Sequence, residues 1–291
     1  MKKIFINKFA ALFGIIFLAA AMRLVLLDKI PVAITGDELL YPITAKTAYI
    51  TGKDLSGTWQ PFEVFAFRYP KNEHQAELPY IIHLLFSAPF GFSLFSTKLP
   101  FAFMSIGIVI LLYLIAKILF NSNAALCTGL AAAINPWLIV MGRTGYESTP
   151  ATFFYLLGLY LVLYLRDWHL LWSVPAFILA FYAYIGTKLL FLPFVITAVG
   201  LSYFIHGKKY RAQYIAVVGI LVLFLFSFIA TIIFRPQNTR LSELFLPNDE
   251  TLASRVDTLR KITIESPLLS ILINKYTVYI NILIEKTMRI F

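Results

Sequence analysis

The sequence predicts an all-α polytopic membrane protein: about seven transmembrane helices, with a long extracytoplasmic first loop that carries interfacial helices. Three observations predict it. Of 291 residues, 59% are hydrophobic and only 14% charged, where a soluble domain holds roughly 45–50% apolar and about 25% charged residues. Apolar runs close to the ~20 residues needed to cross a bilayer recur along most of the chain. The basic residues gather in short connections between those runs, so the formal charge of +10 reads as an orientation signal rather than a nucleic-acid surface.

The first element is the run Phe9–Leu27, preceded by Lys2, Lys3 and Lys8. Ala19-Ala20-Ala21 offers a cleavable signal as the competing reading, but the apolar run continues past it through Leu24-Val25-Leu26-Leu27, which favours an uncleaved span. Six further spans are expected at 100–120, 124–141, 150–166, 169–187, 188–205 and 212–234. The stretch Trp168–Ile205 is too long for one crossing and divides at Gly186-Thr187-Lys188, where glycine breaks the pattern and lysine resists burial. Leu78–Phe95 is apolar but interrupted by Pro79, Pro89 and Gly91, and parity decides against a crossing. If it does not cross, one face collects Lys117, Arg166, Lys208, Lys209 and Arg211 with the N-terminal lysines. It is therefore expected to be re-entrant or interfacial, with a cytoplasmic N-terminus.

Between the first two spans, 37–50 places Leu39, Leu40, Ile43 and Ile50 near one helical face, with Pro42 expected in the first turn, as suits a helix lying in the interface. Thr51–Lys71 is expected to be loop, and Pro267–Ile284 an interfacial helix. The chain thus divides into a transmembrane module at 1–234, with loop 28–99, and an extracytoplasmic or interfacial segment at 235–291. Cys127 is the only cysteine, so no intrachain disulfide exists, and no Cys/His set has zinc spacing.

The candidate functional groups are the charged residues expected on the external face: Asp37, Glu38, Glu77, Arg143, Glu147, Lys188 and Arg240. Each has a bland alternative. Glu77 could cap the helix that follows it, Arg143 and Glu147 could form an i,i+4 pair, and Lys188 could snorkel. His74 and His83 read as incidental. The shared chemistry is direct. A lipid-borne phosphate leaving group needs cations, which Arg143, Lys188 and Arg240 supply. An acceptor hydroxyl needs a carboxylate base, for which Asp37 is the best placed. Tyr41, Tyr49, Trp59, Tyr69, Tyr146, Tyr182 and Tyr184 could line a sugar-stacking wall.

These residues occur in a recognisable order. Arg23-Leu24 ends the first span, followed by Asp37-Glu38, Gly52-Lys53-Asp54, Glu77-Leu78-Pro79-Tyr80 and Lys98-Leu99-Pro100. Arg143-Thr144-Gly145-Tyr146-Glu147 and Tyr184-Ile185-Gly186-Thr187-Lys188 complete the set. The set resembles the GT-C membrane glycosyltransferases, in the protein O-mannosyltransferase-like and lipid A aminoarabinose transferase-like branch, over most of residues 5–245. The resemblance implies inverting transfer of a monosaccharide from a polyprenyl-phosphate donor on the extracytoplasmic face of the cell membrane. It further implies that Asp37 is the base and that Glu38 and Glu77 orient substrate or hold a divalent metal. Tyr41, Glu147 and Tyr184 would contribute to substrate binding, and Arg143, Lys188 and Arg240 would hold the phosphate. Leu78 departs from the histidine or lysine common there in relatives. Relatives are also commonly longer, which implies a fragment or a short form.

Two other functions compete. A non-catalytic homologue acting as a membrane-protein partner subunit would copurify with a larger protein and be inactive alone. A lipid or sugar transporter would place ionisable groups near mid-depth and show repeated halves; the spans here carry almost none, and no repeat is found.

Overall fold

The computed structural model describes residues 2–31, 35–68, 76–234, 249–262 and 274–281. Among them every regular element is helical and none is a strand. The chain divides into two compact units, Met1–Pro70 with Gln75–Gln237, and Lys71–His74 with Asn238–Phe291.

In the first unit, α1 spans Lys2–Leu24, α2 Gly36–Thr51, α3 Glu77–Phe86 and α4 Leu94–Leu119. Then come α5 Ser122–Ile134, α6 Pro136–Gly142, α7 Ser148–Tyr164, α8 Ser173–Ala183, α9 Phe191–His206 and α10 Arg211–Phe234. α4 is the hub, packing against α1, α3, α5, α6 and α7; α7 packs on α8 and α9, and α10 on α8 and α9.

One expected span is not a single helix. The run 124–141 is divided into α5 and α6, bent by 58°. The cause is Asn135-Pro136: proline has no N–H to continue the ladder, and Asn135 Oδ1 accepts from Leu138 N at 3.0 Å to start a new helix. Such a bend orphans the last carbonyls of α5 inside an apolar environment. Arg23, fully buried near the end of α1, satisfies them: its guanidinium donates to Ala133 O at 3.0 Å, Ala132 O at 3.2 Å and Ser105 Oγ at 2.6 Å.

Among the described residues, two helical stretches can cross a membrane by length and composition, Leu94–Leu119 and Phe191–Thr231, with α5 and α6 together as a third. The second stretch runs to 41 residues, about 60 Å at helical rise against a hydrocarbon core of about 30 Å. It is interrupted at Gly207, where φ of +71° suits glycine and a 3-10 turn, Gly207–Tyr210, separates α9 from α10. α3, with 10 residues, is too short to cross. The break expected at 186–188 takes the form of a 3-10 turn, Ile185–Thr187, between α8 and α9.

α2 begins earlier than the proline suggested. Thr35 caps it in a reciprocal box with Glu38, Glu38 N donating to Thr35 Oγ1 at 3.3 Å. Pro42 therefore falls in the second turn, inside the helix, and leaves the Glu38 carbonyl without its usual i+4 donor. Leu39, Ile43, Tyr49 and Ile50 are exposed, while Tyr41, Thr44, Ala45 and Ala48 are buried. Within the expected loop 51–71, Asp54 is buried and accepts from Thr58 N and Trp59 N at 3.2 and 3.1 Å, and Pro61–Ala66 forms a 3-10 turn.

In the second unit, the helix Asp249–Ile262 packs Leu252 and Val256 against Val278. Residues 275–281 are helical and begin at Asn274, which accepts from Tyr276 N and Thr277 N. The rest of the expected helix Pro267–Ile284 lies outside the described residues.

Candidate functional site

The first turn of α2, the turn at 143–147 and the start of α3 meet. Glu38, 5% exposed, accepts from Gly145 N through Oε1 at 2.7 Å. The approach is close enough that a Cβ on Gly145 would lie 3.2 Å from Glu38 Cγ. Tyr146 donates to Thr35 Oγ1 at 2.8 Å, so the same turn also holds the α2 cap. One helical turn on, the buried Tyr41 hydroxyl donates to Glu147 Oε2 and accepts from Ala76 N at 3.3 Å, while its ring lies 4.9 Å from that of Tyr80. Tyr41 therefore ties α2 both to the head of α7 and to the residue before Glu77.

Glu77 opens α3 and is itself buried. Both its oxygens accept from Lys188 Nζ, at 2.9 and 3.1 Å, with the two side chains 6% and 4% exposed. An ion pair this buried is held by geometry rather than by Coulomb attraction alone. The ammonium also lies 5.3 Å from the ring centres of Phe181 and Phe228 and 5.9 Å from Tyr182, where ring quadrupoles favour a cation. Glu77 therefore does more than cap a helix, and Lys188 does not snorkel.

Asp37 lies in the first turn of α2, one residue before Glu38. Tyr184 is at the C-terminal end of α8, its carbonyl accepting from Thr187 Oγ1 at 2.9 Å. Arg240 and His74 lie outside the described residues.

Arg143 departs from expectation. Its guanidinium donates to Met22 O and Val25 O at 2.8 Å, Leu26 O at 2.9 Å and Ile30 O at 3.1 Å. These carbonyls lie at the end of α1 and in the turn beyond it, so Arg143 closes α1 rather than facing a phosphate. Burial lowers its pKa from the ordinary value, yet an arginine remains cationic at neutral pH. The expected Arg143–Glu147 helical pair has a physical obstacle: 143 ends α6 and 147 precedes α7, so the two do not share a helical face.

Glu38 and Glu77, expected to orient substrate or hold a metal, are held separately. They face different partners, an amide and an ammonium, and the Lys188 cation occupies both Glu77 oxygens. Among the described residues no group of three His, Cys, Asp or Glu side chains comes together.

The sequence missed Thr35, the task of Arg23, and the Phe181 and Phe228 rings that join Tyr182 around Lys188. Arg23 had a usable signal, since an arginine inside an apolar span must find carbonyls or a counter-charge. The rings had none, because aromatics make up 16% of the chain.

Neither a curated protein nor a solved structure matches the chain. A family model described as dolichyl-phosphate-mannose-protein mannosyltransferase matches residues 76–233, more than half of its length. The match starts beside the Tyr41 hydroxyl, takes in Glu77, the turn at 143–147 and Lys188, and runs to the end of α10. The chain thus belongs to the dolichyl-phosphate-mannose-protein mannosyltransferase family, and is a membrane glycosyltransferase of mannosyltransferase type.

Proposed function

We propose that the protein transfers a monosaccharide from a polyprenyl-phosphate donor to an acceptor hydroxyl, with inversion, at the extracytoplasmic surface of the cell membrane. Asp37 takes the proton of the acceptor hydroxyl, whose oxygen attacks the anomeric carbon. The bond from that carbon to the phosphate oxygen breaks, and polyprenyl phosphate departs with the electron pair. Lys188 supplies positive charge toward the leaving phosphate, with Glu77 and the surrounding rings fixing its position. Glu38, Tyr41 and Glu147 hold the first turn of α2 in register, and Tyr184 contributes to the sugar wall. Arg143 belongs to the site as a positioning residue. Arg240 remains a second proposed phosphate ligand.

The observation that carries this reading is the chain of buried contacts Gly145–Glu38, Glu147–Tyr41–Ala76 and Glu77–Lys188, which gathers residues far apart in sequence around the turn that bears Asp37. Seven crossings with a cytoplasmic N-terminus put this cluster on the external side, a topology supported by the Lys208-Lys209-Tyr210-Arg211 connection on the opposite side.

The test is turnover of labelled polyprenyl-phosphate sugars by purified protein. Asp37→Asn should reduce donor consumption by about a thousandfold or more, as loss of both base and orientation implies, with unchanged expression and melting. A variant that turns over donor like the unaltered protein would refute the assignment.

A further inference from the structure

A pocket of about 280 Å³ lies between the exposed face of α2, His83 of α3 and the start of α4. Leu39, Pro42, Ile43, Phe92 and Leu94 give it apolar walls, and its polar lining comes from Glu38, Lys46, His83, Ser93, Thr97 and Lys98. Glu38 and Gly145 of the site above border it, whereas Tyr41, Glu77 and Lys188 are not among its lining residues.

Two groups in it are unfinished. Lys98 is 2% exposed, and its ammonium donates to Pro31 O at 3.1 Å. Among the described residues no carboxylate comes within ion-pair distance of it. A buried ammonium with three donors and no counter-charge is costly unless something anionic approaches. Glu38 does not serve, because its oxygens face Gly145 N and Thr35 N. The exposed Lys46 adds a second cation, and the amide end of α4 begins at Leu94 on the same wall.

His83 is fully buried, with Nε2 lacking any partner. Ser87 Oγ donates its proton to Ser96 O at 3.2 Å, so at its 3.2 Å contact with His83 Nδ1 it acts as acceptor. The imidazole proton is therefore on Nδ1, and Nε2 offers a lone pair. That lone pair calls for a hydroxyl. At a membrane surface, the abundant anion that also carries a hydroxyl is the phosphodiester of a glycerol headgroup.

We propose that this pocket binds a hydroxyl-bearing phosphodiester of glycerol phosphate type, with Lys98 and Lys46 on the phosphate and His83 Nε2 accepting from the hydroxyl. As an acceptor subsite it rests on the transfer reading above, since Glu38 follows Asp37 and lines the pocket; as a binding site it does not.

The experiment uses the full chain in neutral detergent. It is titrated with dihexanoyl phosphatidylglycerol, dihexanoyl phosphatidylmethanol, dihexanoyl phosphatidylcholine and free glycerophosphoglycerol, the soluble phosphodiester of the same headgroup, with binding read by calorimetry. Phosphatidylglycerol or glycerophosphoglycerol should bind, and whichever does identifies a lipid or a soluble source. Phosphatidylcholine should not bind, and phosphatidylmethanol, which lacks the hydroxyl, should bind about tenfold more weakly than phosphatidylglycerol. Lys98→Met should weaken binding by about tenfold or more. Lys46→Gln, at an exposed position that tolerates change, should weaken it several-fold, which keeps the test decisive if Lys98→Met fails to fold. In His83→Leu the preference for the hydroxyl-bearing lipid should vanish. Asp37→Asn should leave all these affinities unchanged, so failure of the transfer reading and failure of this one are separable. Equal binding of phosphatidylcholine, or affinity untouched by Lys46→Gln, overturns the proposal.

Discussion

Tyr41 shows how much a single hydroxyl can hold. It receives the amide of Ala76 and gives its proton to Glu147, so Tyr41→Phe removes two bonds from a buried place while keeping the ring. The expected cost is about 1–3 kcal/mol of stability, read as a lower melting temperature, together with reduced donor turnover. The Glu77–Lys188 pair should behave differently. Removing either partner leaves a buried charge unmatched, at about 3–5 kcal/mol, whereas Glu77→Gln with Lys188→Met should cost much less than the sum of the two. Thermal unfolding of the two single variants and the double variant measures this; additive effects would mean the pair is not coupled.

His83 adds a dependence on pH. Burial pushes its imidazole down to about 3 from 6.5, so below pH 6.5 the unfolded chain binds a proton that the folded chain refuses. Stability from this group is complete above pH 6.5 and is lost as pH falls toward 3. The stability difference between the natural protein and His83→Gln should shift by about 2 kcal/mol against the natural protein between pH 7.5 and 5. At this scale the sequence was partly legible. Glu38, Glu77 and Lys188, which make buried contacts, stood out because charge in an apolar chain is conspicuous. His83 passed as incidental because nothing in the sequence shows that its ring is fully buried, with Nδ1 held by Ser87 and Nε2 left without a partner.

Two arginines act on whole helices. Arg23 satisfies the end of α5 where Pro136 bends it away, and Arg143 satisfies the end of α1. Each guanidinium spreads several donors over several carbonyls, which an ammonium cannot match. Arg143→Lys should therefore loosen the turn after α1, seen as faster amide exchange over residues 25–30, with little change at α9 or α10. The sequence placed most helices well, because apolar runs of the right length leave few alternatives. It missed the α5–α6 bend although Asn-Pro was in plain view, because overall hydropathy averages over one polar residue. It also set Pro42 too near the start of α2, having overlooked Thr35 and Glu38 as a capping box.

For the molecule as a whole, long-range packing was the least legible part. Nothing local in Gly145 announces that it will seat against Glu38, more than a hundred residues earlier. The orientation proposed for the bilayer rests instead on where lysine and arginine fall. A reporter fused after Gly207 should read cytoplasmic and one after Gly145 extracytoplasmic; the reverse pattern would overturn the crossing count and the assigned face.

The guanidinium that seals the first helix lies 121 residues after Met22, and the ammonium that meets Glu77 lies 111 residues after it. A nascent chain emerges in order, so the leading third of the molecule leaves the ribosome with its carbonyl ends and its acid still waiting. Maturation of the rim is thus scheduled by translation: a stall before residue 143 yields inserted helices with an open seam, and the seam closes only once the later cations arrive.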